Sequence, residues 1–289
     1  MATVKTYYQL AKPGIVYGNV ISVLAGFFYG LTLASFKLVP LVAVVLGTAL
    51  VMGGACVLNN ITDRFIDAHM ERTKKRALVI GAITVRQAAI FASLLLIAGF
   101  LILAKTNLLT ALIGLVGVID YVLLYAWAKR ATPLGTVVGT VSGSVPLLAG
   151  YTALTGAMTQ SALVLFFMMV FWQMAHFYAI AIYRQSDYKA AHIPVLPVSR
   201  GVAETRQQIL VFVVLFLLSA IYMVYKNFVP LWYGIVIAAV CGLWIQKTLQ
   251  PLGKEQTAWA KRNFKFSLIV LLVFCAATSF VGVFDYFWP

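Results

Sequence analysis

A chain of 289 residues that is 62% hydrophobic and only 10% charged, with mean hydropathy +0.94, is excluded from the soluble globular class, where about a quarter of residues are charged. Its net charge of +14 does not mark a nucleic-acid binder, because the lysines and arginines are scattered between apolar runs instead of gathered on one face or tail. Cys56, Cys241 and Cys275 are odd in number, far apart and set in apolar runs, so neither a disulfide framework nor a zinc site is indicated.

Lys5 and Lys12 precede an apolar stretch that superficially resembles a signal peptide. The stretch is long and many others follow, so it reads as a first transmembrane helix that stays attached. Apolar runs of membrane-spanning length fall at 14–34, 39–58, 87–104, 108–127, 136–154, 161–183, 208–225, 229–246 and 266–284. The chain is expected to be a single all-α domain over 1–289, a polytopic bundle of about nine transmembrane helices. Charge fixes the orientation. With the N-terminus inside, 19 of the 22 basic residues, Lys254 among them, face inward, and only Lys37, Lys105 and Lys226 face outward. That bias supports an odd number of spans, with a cytoplasmic N-terminus and a periplasmic C-terminus.

In chain order, the first long inside loop is the richest in chemistry. Three of the eight acidic residues fall within nine positions, Asp63 to Glu71. If the segment is helical, Asn59, Asp63 and Asp67 recur every four residues on one face, about 6 Å apart along the axis. Oxygen donors so spaced suit Mg²⁺, which takes one or two carboxylates and completes its shell with substrate phosphate oxygens. Arg72, Lys74 and Arg76 follow, positioned to grip the same phosphates. By itself the basic run reads as a solvated, inward-facing loop.

Asp120 falls about two turns inside the fourth span, which predicts a polar cavity or a protonated carboxyl and assigns no chemical role. Lys129 and Arg130 close that span, as an interfacial anchor or as further phosphate contacts. Gly135, Gly139 and Gly143 recur every fourth position and predict close helix packing. His176 lies inside the sixth span, where an ionisable residue faces the bundle interior and where imidazole is either a haem-iron ligand or an inter-helix hydrogen-bonding group. The second long inside loop adds Arg184, Asp187 and Lys189, a structural ion-pair set or a second contribution to metal and phosphate binding. Four spans separate the two long loops, as expected for corresponding loops of two parallel halves.

Asn59, Asp63 and Asp67 match the Asn-x-x-x-Asp-x-x-x-Asp motif of the UbiA superfamily of intramembrane prenyltransferases. The run Asp67-x-x-Met70-x-Arg72-Thr73-x-x-Arg76, the pair Lys129-Arg130, the segment Trp172-Gln173-x-x-His176, and Asp187-Tyr188-x-x-Ala191-x-Ile193-Pro194-Val195-Leu196-Pro197 resemble the protohaem IX farnesyltransferases within it. The resemblance runs from Lys12-Pro13 to the last span. It implies a nine-helix bundle in the bacterial inner membrane with a cavity opening toward the cytoplasm. There a farnesyl group would pass from farnesyl diphosphate to a vinyl group of haem B, water supplying the hydroxyl of haem O. Mg²⁺ would be the cofactor, held by Asn59, Asp63, Asp67 and Asp187, with Asn60 orienting a ligand. Arg72, Lys74, Arg76, Lys129, Arg130, Arg184 and Lys189 would hold the diphosphate, and His176 and Tyr125 the haem, with Tyr125 also suited to steady an allylic cation. Haem A synthase or a terminal oxidase would receive the product. The chain departs from the pattern at Ala175, where many members have Pro, at Gly135, where they have Asn, and in carrying one acid, Asp187, where the wider superfamily has two in its second loop.

Two other readings compete. A UbiA-type transferase acting on an aromatic quinone precursor shares the first motif but has no use for the Trp172-to-His176 segment. A transporter would use Asp120 and His176 as a proton path, against which stands the clustering of acids at one mouth instead of at mid-membrane.

Overall fold

The computed structural model describes residues 3–253 and 255–288, and Lys254 lies outside them. The helices in chain order are α1 (Val4–Leu10), α2 (Pro13–Tyr29), α3 (Leu38–Asp67), α4 (Val85–Ala104), α5 (Leu108–Ile119), α6 (Tyr125–Ala131), α7 (Gly135–Thr155), α8 (Gln160–Tyr183), α9 (Gln185–Ala190), α10 (Leu196–Ser199), α11 (Val202–Tyr225), α12 (Leu231–Leu249) and α13 (Gln256–Phe287). A 3₁₀ turn extends α2 to Thr32, and a π-helical turn, Asp120–Leu124, joins α5 to α6 in one span. Among the described residues, nine helical segments are long and apolar enough to cross a membrane. Large apolar side chains such as Leu94, Leu101, Leu123 and Leu218 stay exposed on the outer surface, as lipid contact requires.

Three span boundaries differ from the hydropathy reading by well over a turn. α3 runs on to Asp67 instead of ending near 58, α11 begins at Val202 instead of 208, and α13 begins at Gln256 instead of 266. In each case charged residues end the apolar window while the backbone continues its hydrogen-bonded turns. At 30 residues α3 is about 45 Å long, so its last turns carry the acidic motif out of the hydrocarbon.

The bundle closes because backbones meet where side chains are smallest. α2 packs on α7 and α13, and α8 packs on α7, α11 and α13. Where α2 crosses α7, a Cβ on Gly26 would fall 1.9 Å from the Leu147 carbonyl oxygen, and one on Gly150 would fall 2.0 Å from that of Val23. Small residues permit this approach in lipid, where helix association rests on packing. Leu10 at the end of α1 packs with Val57, Leu78, Ile83, Ala88 and Ala92, which fastens the first long loop onto α3 and α4.

Candidate active site

A cavity of about 870 Å³ runs up the middle of the bundle. One stripe of α3, Thr48, Val51, Ala55, Asn59, Asp63 and Asp67, lines it with the three-and-four spacing of a single helix face. From Thr48 to Asp67 this stripe covers about 28 Å of axial rise. The mouth is formed by residues of both long loops, Met70, Arg72 and Arg76 from the first and Arg184, Asp187, Tyr188 and Ile193 from the second.

At the mouth the acids are neutralised in a fixed pattern. Asp63 is paired with Lys129 through one oxygen and with Arg130 through the other at 3.1 Å. Asp67, whose side chain is only 3% exposed, accepts from Arg76 at 2.5 Å, and the Thr73 hydroxyl holds the adjoining turn by donating to the Asp67 carbonyl. Asp187 sits across the mouth, 3.8 Å from Arg184. Asn59 receives two donors on its Oδ1, the Lys12 ammonium at 2.8 Å and the Tyr121 hydroxyl at 3.3 Å, while its buried Nδ2 has no partner among the described residues. Lys12 is held in the left-handed region, φ 52, at the hinge between α1 and α2, a conformation that costs a non-glycine residue about 1 kcal/mol or more. Loss of water around it pulls its ammonium down to about 8, with Arg76 acting in the same direction and Asp63 and Asp67 opposing it. Burial pushes the Tyr188 hydroxyl up, partly offset by Arg72.

Further along the cavity lies an aromatic wall. The His176 ring is stacked on Trp172, centroids 4.8 Å apart at 22°, and flanked by Phe264 at 5.0 Å. Gln173 donates to the Ser144 hydroxyl at 2.8 Å, and a Cβ on Gly143 would lie 2.0 Å from its Oε1. Tyr125, stacked on Tyr121 at 5.8 Å, belongs to the mouth instead: the Lys129 ammonium stands 5.1 Å over its ring, and a Cβ on Gly139 would fall 2.7 Å from it. The glycine repeat of α7 is thus helix packing that also makes room for two cavity side chains.

Of the residues singled out in the sequence, Asn59, Asp63, Asp67, Arg72, Arg76, Tyr125, Lys129, His176, Arg184 and Asp187 line this cavity. Arg130 reaches it through Asp63. Asn60 turns away, donating to the Leu10 carbonyl at 2.8 Å, because it lies 100° round the helix from Asn59. Lys74 is paired with Glu71 at 2.7 Å on the exposed side of its loop, and Lys189 is exposed; neither lines the cavity. Asp120 is buried against the helix packed on it, accepting from the Ser142 backbone N–H at 3.0 Å. Lys12, Tyr121 and Tyr188 also line the cavity, residues to which the sequence alone assigned no role in the site.

The donor set fits a divalent ion that arrives with a phosphate. Among the described residues no three acidic, histidine or cysteine side chains cluster as a metal cage. Two carboxylates on one helix face, Asp63 and Asp67, are the donors that Mg²⁺ shared with substrate phosphate oxygens takes.

The UbiA prenyltransferase family model matches residues 19–284. The chain belongs to the UbiA prenyltransferase family. Within that family it is 42% identical over 273 residues to the protoheme IX farnesyltransferase of Aliivibrio salmonicida (strain LFI1238), covering 93% of this chain and 94% of that one. It is 40% identical to the enzyme of the same name from Protochlamydia amoebophila (strain UWE25), covering 95% and 97%. Solved UbiA-fold structures superpose along nearly the whole length. A digeranylgeranylglyceryl phosphate synthase does so with TM-score 0.79 at 20% identity, covering 97% of this chain and 98% of its own. A UbiA homologue from Archaeoglobus fulgidus bound to GPP and Mg²⁺ does so with TM-score 0.66 at 19% identity, covering 95% and 99%.

Proposed function

We propose that this chain transfers the farnesyl group of farnesyl diphosphate to a vinyl group of haem B, with addition of water, giving haem O and diphosphate. The observation that carries the reading is the single cavity that joins an acid-and-base mouth to an apolar aromatic chamber. In the reaction the C–O bond to diphosphate breaks and a bond forms between farnesyl C1 and the outer vinyl carbon. Water oxygen then bonds the inner vinyl carbon and releases its proton. An alkene is a weak nucleophile, so the barrier lies in the charge gathered on the departing diphosphate, and groups fixed in advance around that charge do most of the catalysis.

Asp63 and Asp67, with Asp187 across the mouth, would hold Mg²⁺ together with diphosphate oxygens, and its chemistry when bound is to neutralise the leaving group. Lys129, Arg130 and Arg76 are now held by those acids. A metal diphosphate brings a cation for the acids and an anion for the bases, so its entry exchanges one set of pairings for another. No charge is then left unpaired in a partly dry site. Arg72, Arg184 and Lys12 extend the cationic rim. Asn59, with its Oδ1 engaged and its Nδ2 without partner, is arranged to donate to a phosphate oxygen rather than to ligate the metal. The apolar length of the α3 stripe accommodates the prenyl chain, and haem lies on the Trp172 and His176 side. The basic excess on the mouth side supports a cytoplasmic mouth in a bacterial inner membrane, from which haem O would pass to a haem A synthase or a terminal oxidase.

The test is direct. Membranes containing the protein, given haem B, farnesyl diphosphate and Mg²⁺, should yield a haem heavier by one hydroxylated farnesyl unit in the mass spectrum. Asp63→Asn should lower the rate by about 10²-fold or more, the scale of losing one preorganised charge contact. A wild-type chain that makes no such haem, or an Asp63→Asn chain that turns over fully, refutes the reading.

A further inference from the structure

We infer that an outer groove between α3 and α6 holds one anionic phospholipid, its phosphate on Arg130 and an acyl chain along Val122, Leu123 and Ala126. The groove is open, has a volume of about 460 Å³, and shares no lining residue with the central cavity. It is formed by one side of the fourth span, from Val122 to Ala131, and by Thr62 of α3. That side of the span covers about 13 Å of axial rise. Its polarity runs in one direction. The deep end is aliphatic, Trp127 follows as an exposed ring of the kind that anchors at a membrane interface, and Arg130 ends the groove on the mouth side. A phospholipid of the mouth-side leaflet presents its chain and its phosphate in the same order.

Charge decides which phospholipid. Residues 129 and 130 point 100° apart round the helix, so Lys129 reaches Asp63 from the cavity while Arg130 reaches its other oxygen from the groove. With Arg76 on Asp67, three cations meet two carboxylates, and one positive charge is left in excess. Arg130 uses Nη2 alone, donating to the Thr62 carbonyl at 2.8 Å and to Asp63 at 3.1 Å. Its Nε and Nη1 have no hydrogen-bonding partner among the described residues. The side chain is 42% exposed and offers those donors in the planar fork that phosphate oxygens match. A zwitterionic headgroup brings its own cation to this contact and an anionic one does not, which is why basic pockets between spans take anionic lipids. Because Arg130 is shared with Asp63, the lipid also acts on the mouth, a consequence that rests on the metal reading above. Phosphate draws the guanidinium outward and leaves Asp63 freer for Mg²⁺.

The experiment is titration of the delipidated full-length protein in detergent with phosphatidylglycerol, phosphatidylcholine or inorganic phosphate, read by native mass spectrometry. Phosphatidylglycerol should be retained as one adduct and bind about fivefold or more tighter than phosphatidylcholine. Arg130→Gln should erase that preference, Trp127→Ala should weaken the adduct, and Lys105→Gln, which removes a cation elsewhere, should change neither. Equal retention of the two lipids, or a preference that survives Arg130→Gln, overturns the site. Displacement of the adduct by inorganic phosphate alone overturns the lipid as its occupant. In nanodiscs, phosphatidylglycerol in place of phosphatidylcholine should lower the Mg²⁺ concentration at half-maximal farnesyl transfer about twofold or more. Trp127→Ala meets the same membrane charge and should lose that shift; a shift it retains belongs to the bulk surface and overturns the coupling. A chain that binds phosphatidylglycerol in this way yet makes no haem O refutes the proposed function and leaves the lipid site standing.

Discussion

Asn59 shows how much one buried contact decides. Its oxygen, the atom that the motif would offer to a metal, receives the Lys12 ammonium and the Tyr121 hydroxyl. Its amide nitrogen is left buried without a partner, and an unmet buried donor costs about 1–3 kcal/mol. A phosphate oxygen relieves that cost, so the arrangement favours the bound state over the empty one. Lys12→Met keeps much of the aliphatic stem and removes the charge that orients the amide. It should raise KM for farnesyl diphosphate about tenfold or more, the equivalent of 1.4 kcal/mol per tenfold, while haem affinity stays constant. Steady-state kinetics with haem titration decides it, and an unchanged KM would mean that Lys12 is only an interfacial anchor. That role was not legible in the sequence. Lys12 and Asn59 are 47 residues apart, and the one local signal is the following Pro13, which disfavours the right-handed helical region at Lys12. Asp63, Asp67 and Asn59 were legible because their four-residue spacing is a property of any helix, whatever surrounds it.

At the scale of elements, nine spans could be read from hydropathy alone, but the ends that carry chemistry could not. An apolar window stops at the first charges, and in α3 those charges lie on the stripe turned into the cavity, where Lys129, Arg130 and Arg76 neutralise them and let the helix continue. The same pattern that ends a hydropathy window therefore marks the site. Helix pairing was less legible still, since glycines at 26 and 150 are 124 positions apart and carry no mutual signal. Their cost is predictable from the geometry. Gly150→Ala puts a methyl 2.0 Å from the Val23 carbonyl oxygen, a backbone atom that moves only if α2 and α7 separate. It should destabilise the protein by about 1–3 kcal/mol. Gly242→Ala on α12 meets nothing within 4 Å and should leave stability equal or slightly raised, since alanine exceeds glycine in helix propensity by up to about 1 kcal/mol. Thermal unfolding in one detergent compares the two, and equal melting temperatures would contradict close packing as the basis of the α2 to α7 contact.

In the whole molecule, the two long loops contribute residues to one mouth, and the charged and aromatic groups of the cavity come from different elements. The cations and carboxylates belong to the end of α3, to α6 and to the loops, whereas Trp172 and His176 belong to α8 and are tied to α13. Among the described residues, no hydrogen bond or ion pair links His176 to the Asp63 and Asp67 cluster. The two substrates should accordingly bind through separable sets of groups, coupled only by the chemistry that joins them. Chelation tests this division. Removal of Mg²⁺ by EDTA should abolish farnesyl transfer while leaving haem affinity within about twofold, with activity returning on added Mg²⁺. Transfer at full rate in EDTA would show that the basic residues stabilise the leaving diphosphate unaided, and parallel loss of haem binding would show that the mouth and the aromatic chamber form one cooperative site. Either result would redraw the division of labour between α3 and α8 that the geometry implies.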